Sequence, residues 1–281
     1  TENLIKVSLS KSSNILVNIH FSRIINSENL GVLIFEDPSL DKVRHQFDSK
    51  KRNLSLRGFS SLLSHEIKTP LASITGAIQL IERNVNNEDK KFISIINSET
   101  KRIVDLVNKM SFFDKDNDNI FENINIHDVL INVIKVAKIG YAKDINFVEF
   151  YDPSLPNIKG NRGGLVQLFT NLIKNSVESM NNFGDINITT SFINDLQQKL
   201  DKQGNIKRAY LPIEISIKDT GKGIPKELSD QIFDPFITSK FDGSGLGLPL
   251  ALKIVSDHNG SIDFETTDQY TVFSVRLPIA Y

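Results

Sequence analysis

Two apolar stripes in succession, each stepping by three and four residues, constrain this chain more than any other feature. Phe59, Leu63, Ile67, Leu71, Ile74, Ile78, Ile81 and Val85 form the first. That spacing lines one face of a helix. Asn84-Val85-Asn86-Asn87 breaks it, and Phe92, Ile95, Ile96, Ile103, Leu106, Val107, Met110 and Phe113 form the second. Two long helices joined by a short polar turn make a helical hairpin. A narrow apolar face on each is better covered by a second copy, so the expected arrangement is a homodimer closing a four-helix bundle.

The rest of the chain is of a different kind. Strand-type runs at Leu4 to Leu9, Ile15 to Phe21 and Leu30 to Phe35 precede the stripes, separated by polar clusters that suit hairpin connections. They resemble the end of a larger sheet, and Thr1 opens the chain without a methionine, as expected of a processed chain or a fragment. Asp41 to Arg57 is charged and helix-compatible, a linker helix. After the polar break at Asp114 to Asn119 the pattern is mixed. Helices are expected at His127 to Lys138, Leu165 to Met180 and Leu248 to His258. Strands are expected at Ile145 to Phe150, Asp185 to Thr190, Ile213 to Ile217, Ser261 to Glu265 and Val272 to Leu277, with an extended polar hairpin loop at Asn194 to Arg208. The fold class is therefore α+β.

Composition removes several functions. Lys and Arg number 33 against 34 Asp and Glu, a net charge of −1, so there is no basic footprint for nucleic acid. Cysteine is absent, which excludes a disulfide framework, a thiolate zinc site and a cysteine nucleophile. The longest apolar run, Val32 to Phe35, falls far short of the roughly 20 residues of a membrane-spanning helix. No membrane contact is expected within this segment, and an anchor upstream stays open.

Four segments carry chemistry. In Ser64-His65-Glu66-Ile67-Lys68-Thr69-Pro70-Leu71, His65 lies between Leu63 and Ile67 and projects off the apolar stripe. A neutral imidazole there is a competent nucleophile, and Glu66 can accept or orient its ring proton. Thr69, one turn on, shares the face of His65. Pro70 removes a helix hydrogen bond and is expected to loosen the backbone near the histidine. Taken alone, such a pair is ordinarily a solvated histidine beside a glutamate.

In the second segment Gln167, Asn171 and Asn175 stack at intervals of four on one helix face. Carboxamide oxygens suit a hard cation such as magnesium bridging to phosphates, although an Asn stripe is ordinarily a solvated face. In the third, Asp219 ends a strand and Gly221 and Gly223 follow it, an arrangement that can hold a purine amino group or simply make a tight turn. In the fourth, Gly243, Gly245, Leu246 and Gly247 run into a helix, where free N–H groups make an anion cradle. The spacing is neither the Rossmann fingerprint nor a Walker loop. Ahead of it, Phe233 and Phe236 are placed to pin a mobile lid, and Lys240 to reach a phosphate.

The order of these pieces resembles the sensor histidine kinases of two-component signalling. Their H, N, G1, F and G2 boxes match HEIKTPL, NLIKNSVES, DTGKGIP, FDPFITSK and GSGLGL, from Gly58 to the end of the chain. The resemblance implies a C-terminal part of a PAS-like sensor domain at 1–40, a linker helix at 41–57, a dimerisation and histidine phosphotransfer domain at 58–114, and a Bergerat-type α/β sandwich that binds ATP at 115–281. It implies that His65 attacks the γ-phosphate with Glu66 as acid/base partner. Asn175 would coordinate Mg2+ with Asn171 in support, Asp219 would bind the adenine amino group, and Gly221 and Gly223 would shape the base pocket. Lys240, Gly243, Gly245, Leu246 and Gly247 would close over the phosphates. The implied partner is the receiver domain of a response regulator.

Within the family, HEIK with Gly76-Ala77-Ile78-Gln79-Leu80, FDPFITSK and SVRLP look like nitrogen-regulation sensor kinases. Three positions depart from the pattern. Thr69 stands where Asn is usual, Ser176 replaces an alanine, and no glycine precedes Thr271. A Thr at position 69 implies a water-positioning role in dephosphorylating the regulator. A Bergerat-type ATPase without phosphotransfer, or a nucleotide-binding regulatory module, are the rival readings. The intact His65-Glu66 pair and the retained Asn175 and glycines speak against them. The remaining histidines carry no metal-ligand spacing, and His258 near a helix end is expected to favour the helix dipole.

Overall fold

The computed structural model describes residues 4–10, 13–23, 31–36, 57–82, 89–111, 121–194, 196–200, 206–240 and 243–280. The expected linker helix at 41–57 thus lies almost wholly outside the described residues. So do the breaks at 84–87 and 114–119. The chain divides into two compact units, one of residues 1–48 with 198–208 and one of 49–197 with 209–281. In the first, β1 (Leu4–Ser10), β2 (Ser13–Arg23) and β3 (Gly31–Glu36) form an antiparallel meander.

The second unit contains the hairpin. Helix α1 (Arg57–Glu82) runs on through Pro70, and α2 (Lys90–Ser111) packs along it. Leu71 and Ile78 of α1 and Ile93 and Val107 of α2 are buried. Ile74, Leu80, Ile81, Phe92, Ile95, Ile96 and Ile103 stay exposed. One hairpin has too little apolar surface of its own to cover stripes this wide.

The remainder is a two-layer sandwich. Its elements are β4 (Glu122–Ile124), α3 (Ile126–Ile139), β5 (Ile145–Phe150), β6 (Ile158–Gly160), α4 (Arg162–Ser179) and β7 (Gly184–Phe192). The separate two-stranded ribbon of β8 (Leu196–Leu200) and β9 (Ile206–Tyr210) falls mostly in the first unit, and the sandwich continues with β10 (Ile213–Asp219), α5 (Gly247–Asp257), β11 (Ser261–Thr266) and β12 (Thr271–Leu277). The main sheet has the order β11-β12-β10-β7-β5, antiparallel except where β5 runs parallel to β7. A two-residue side-chain period builds its inner face: Ile186 and Ile188 from β7, Ile213, Ile215 and Ile217 from β10, Phe273, Val275 and Leu277 from β12. Opposite them α4 contributes Leu165, Leu168, Phe169, Leu172 and Ile173, all fully buried. Each such side chain contributes about 1.5–3 kcal/mol by leaving water.

Polar groups fix the helix ends. Asn125 caps α3 by accepting from the His127 N–H, and Asn161 caps α4 by accepting from the Gly164 N–H. His258 ends α5 but does not act as a cation at the helix dipole. It is buried, its Nε2 accepts the Asn161 N–H at 2.9 Å, and its Nδ1 sits 2.7 Å from the Ile254 carbonyl. Burial lowers its pKa and keeps the ring neutral, so it ties the end of α5 to the start of α4.

Candidate functional site: a nucleotide cavity at the sheet edge

The inward-facing period of β10 runs Ile213, Ile215, Ile217 and then Asp219, so the strand delivers a carboxylate into the apolar layer at its last residue. Asp219 is 2% exposed. Burial pushes its pKa up, and donors from Ser176, Gly221 and Ser179 oppose that push. Ser176 Oγ donates to Oδ2 at 2.8 Å, while the Gly221 N–H and Ser179 Oγ lie 3.0 and 3.1 Å from Oδ1. The glycines that follow have steric reasons to be glycine. A Cβ at Gly221 would collide with Ser179 Oγ, and one at Gly223, where φ is +75°, with the Thr267 carbonyl.

Asp219 sits on the wall of a cavity of about 560 Å³ between α4, the turn after β10 and the segment leading into α5. Asn171 and Asn175 line it from α4. Gln167 donates to Asn171 Oδ1 at 3.0 Å, and Asn171 Nδ2 reaches the Gly247 carbonyl at 3.3 Å. A Cβ on Gly247 would lie 3.8 Å from Asn175 Nδ2, an ordinary contact, so the first turn of α5 runs beside the Asn face. No side chain caps α5. Gly243, Gly245 and Gly247 line the cavity, whereas Leu246 is buried in the core and does not line it.

The segment before the glycines is pinned by one aromatic, not two. Phe233 is buried and meets Phe264 edge-on at 6.2 Å, while Phe236 is half exposed with φ at +68°. Phe236 donates its N–H to the Gly245 carbonyl at 3.0 Å, and Gly245, itself at φ +64°, lies against the Phe236 backbone. Lys240 lines the cavity with its ammonium 2.5 Å from Glu178, which also faces Lys174 at 3.9 Å. His65 and Glu66 have their backbone in α1 and side chains outside the described ones; Thr69 is exposed on the next turn.

Two groups were missed by reading the boxes alone. Thr271 pairs with Asp219 across β10 and β12, is buried, and lines the same cavity. Ser179, one turn past Asn175, contacts the same carboxylate. The strand alternation Thr271, Phe273, Val275, Leu277 was the signal for the first. The helical spacing from Ser176 was the signal for the second.

A buried carboxylate, an Asn face and a glycine-framed helix start around one cavity define a nucleotide-binding domain of the kind found in histidine kinases. Residues 160–281 match the family described as histidine kinase-, DNA gyrase B-, and HSP90-like ATPase. Residues 55–118 match the His Kinase A (phospho-acceptor) domain. A sensory histidine kinase/phosphatase NtrB of Azospirillum brasilense is 42% identical over 85% of this chain and 59% of its own. That of Rhizobium meliloti (strain 1021) is 39% identical over 94% of this chain and 69% of its own. The chain belongs to the NtrB family of sensory histidine kinases/phosphatases. It spans about three-fifths to two-thirds of the length of these relatives. The fold is shared with full-length ShkA in complex with AMPPNP, at a TM-score of 0.64 and 22% identity over 80% of this chain and 46% of that one. It is also shared with histidine kinase ThkA in complex with response regulator protein TrrA, at 0.56 and 24% over 99% and 78%. Among the described residues no helix is long and apolar enough to cross a membrane.

Proposed function

We propose that this chain is the core of an ATP-dependent protein-histidine kinase that phosphorylates itself on His65 and donates the phosphoryl group to an aspartate of a response-regulator receiver domain. The observation that carries the reading is Asp219: a carboxylate held at a cavity wall by three donors, within an apolar layer, accepts an exocyclic amino group as adenine presents it. The N–H groups at the start of α5 and the Lys240 ammonium would face the phosphates. The donor set also fits a magnesium ion carried in with the nucleotide. Asn175 would supply a carboxamide oxygen with Asn171 beside it, and no group of three or more His or carboxylate side chains among the described residues forms a protein cage for a metal. Bound there, magnesium would neutralise charge on the phosphates.

In the phosphoryl step the lone pair of a His65 ring nitrogen forms an N–P bond to the γ-phosphorus. The bond from that phosphorus to the bridging oxygen breaks, and ADP leaves with its electrons. Glu66, next along α1, accepts the proton of the second ring nitrogen. A receiver aspartate then attacks the phosphohistidine and takes the phosphoryl group. Catalysis of this kind is mostly positioning and charge stabilisation, which suits a site of amides and glycines.

The sheet β1–β3 is read as the end of a PAS-like sensor domain, and 58–114 as the dimerisation and phosphotransfer domain. The regulator is proposed to belong to nitrogen control, from the resemblance of the sequence to nitrogen-regulation sensor kinases, with dephosphorylation of that regulator as the second activity, in line with the kinase/phosphatase name of the relatives. A cytoplasmic location is proposed, as expected of a segment that uses ATP. Incubation with γ-labelled ATP and magnesium tests the kinase: acid-labile, alkali-stable label is expected on the native chain and none on His65→Gln. Label that persists in His65→Gln would overturn the assignment. ATP hydrolysis without any label would favour the Bergerat-type ATPase instead.

A further inference from the structure

Every described donor to Asp219 comes from the chain itself, and they are unevenly distributed. Oδ1 receives two, from the Gly221 N–H and from Ser179 Oγ, the latter shared with the Ser176 carbonyl at 2.8 Å. Oδ2 receives one, from Ser176 Oγ at 2.8 Å. Each carboxylate oxygen has two acceptor positions in its plane. Oδ1 is thus held by two donors and Oδ2 by Ser176 alone. Ser176 is 1% exposed and lies on the core-facing stripe of α4 after Leu165, Phe169 and Leu172, where an apolar side chain would satisfy packing. A buried hydroxyl at such a place costs free energy unless it makes its hydrogen bond. Here it makes one, to the base-reading group.

We propose that Ser176 is a specificity-determining positioning residue: its hydroxyl fixes the rotation of the Asp219 carboxylate and holds it as an acceptor, so that the cavity takes 6-amino purine nucleotides and rejects 6-oxo ones. This rests on the nucleotide reading given above. A 6-amino group donates to the carboxylate. A 6-oxo group brings a second acceptor against an ionised acceptor, and no rotation of the clamped carboxylate relieves that contact. Removing the Ser176 hydroxyl frees Oδ2, and the vacated space admits a water that can donate to a 6-oxo group. It also takes away a donor that favours the ionised form, and a carboxyl that picks up a proton becomes a donor to the oxo oxygen. Both changes erode discrimination more than they erode binding of the diphosphate tail.

The test is calorimetric titration of the full chain with ADP and with IDP, in magnesium, for the native protein, Ser176→Ala, Ser176→Cys and Asp219→Asn with and without Ser176→Ala. The native chain is expected to prefer ADP. Ser176→Ala is expected to lower that preference by about five-fold or more, as for loss of a hydrogen bond to a charged group. Ser176→Cys, with a weaker donor, falls between them, and Ser176→Ala changes nothing further in the Asp219→Asn background. ADP and IDP affinities falling together, or a preference unchanged in a Ser176→Ala chain that still binds ADP, would overturn the proposal. If Ser176→Ala does not fold, an unchanged preference in Ser176→Cys overturns it equally. A native chain that binds neither nucleotide sinks the nucleotide reading itself.

Discussion

The hairpin and the sandwich bury their apolar residues in opposite ways. Among the described residues of α1 and α2 the buried set is thin, and seven large hydrophobics, from Ile74 to Ile103, face outward. In the sandwich two layers close on each other, and the inner positions of β7, β10 and β12 are at or near complete burial. A folding unit that closes its own core can hold a small-molecule site to fractions of an ångström. A hairpin that leaves its stripe open suits the proposed dimer, in which a second hairpin would cover that stripe. The nucleotide and its acceptor are thus held by parts with different sources of stability.

Matched substitutions can break that contrast. Phe169→Ala removes a fully buried ring from the sandwich and is expected to cost about 3–5 kcal/mol, read as a lower urea midpoint and loss of nucleotide binding. Ile96→Glu, at a position 48% exposed in the single hairpin, is expected to leave nucleotide affinity alone and convert a dimer to a monomer in light scattering. If Ile96→Glu leaves the dimer intact, or if Phe169→Ala is as mild as a surface change of about 0.5 kcal/mol, the contrast is wrong.

A selective loss sharpens the comparison from the hairpin side. Thr69 is exposed one turn beyond His65, on a helix that runs through Pro70. With Thr69→Ala, autophosphorylation is expected to stay within about two-fold, since no group that attacks phosphorus is removed. Dephosphorylation of the phosphorylated regulator is expected to fall by about 100-fold or more, the lower end for loss of a group that positions a proton transfer. Release of inorganic phosphate from the labelled regulator measures it. An unchanged rate would sink the water-positioning role.

Much of this architecture was legible in the sequence, because period and spacing are local. The strand at Ile145 to Phe150 appears as expected, and the helices over 126–139, 162–179 and 247–257 fall within a few residues of their apolar patterns. The short pair β4 and β6 was not foreseen. Three residues each give no period, and only their pairing, Ile124 opposite Ile158, makes them strands. The site was legible as boxes but not as a network. That Ser176 and Ser179 both turn toward Asp219 depends on the register between α4 and β10, which are far apart in sequence. Likewise Phe233 and Phe236 look equivalent in the sequence, and only the left-handed backbone at Phe236 separates them.

The smallest effect concerns the joint between α4 and α5, the two helices that bracket the cavity. His258 is buried, and that burial lowers its pKa despite the raising influence of the Ile254 carbonyl, Asp257 and the Asn161 backbone. The unfolded chain takes up this proton near the ordinary value of 6.5, whereas the folded chain resists it to a lower pH. The unfolded state therefore binds more protons between those two values, and stability falls as pH drops through that window. Above 6.5 the contribution is fully present; below the lowered folded value no more is lost. Protonation also turns Nε2 from the acceptor of the Asn161 N–H into a donor facing a donor, which loosens the start of α4. Thermal midpoints between pH 7.5 and 5 should thus decline more steeply for the native chain than for His258→Gln. Parallel curves for the two would place the acid sensitivity of the sandwich elsewhere.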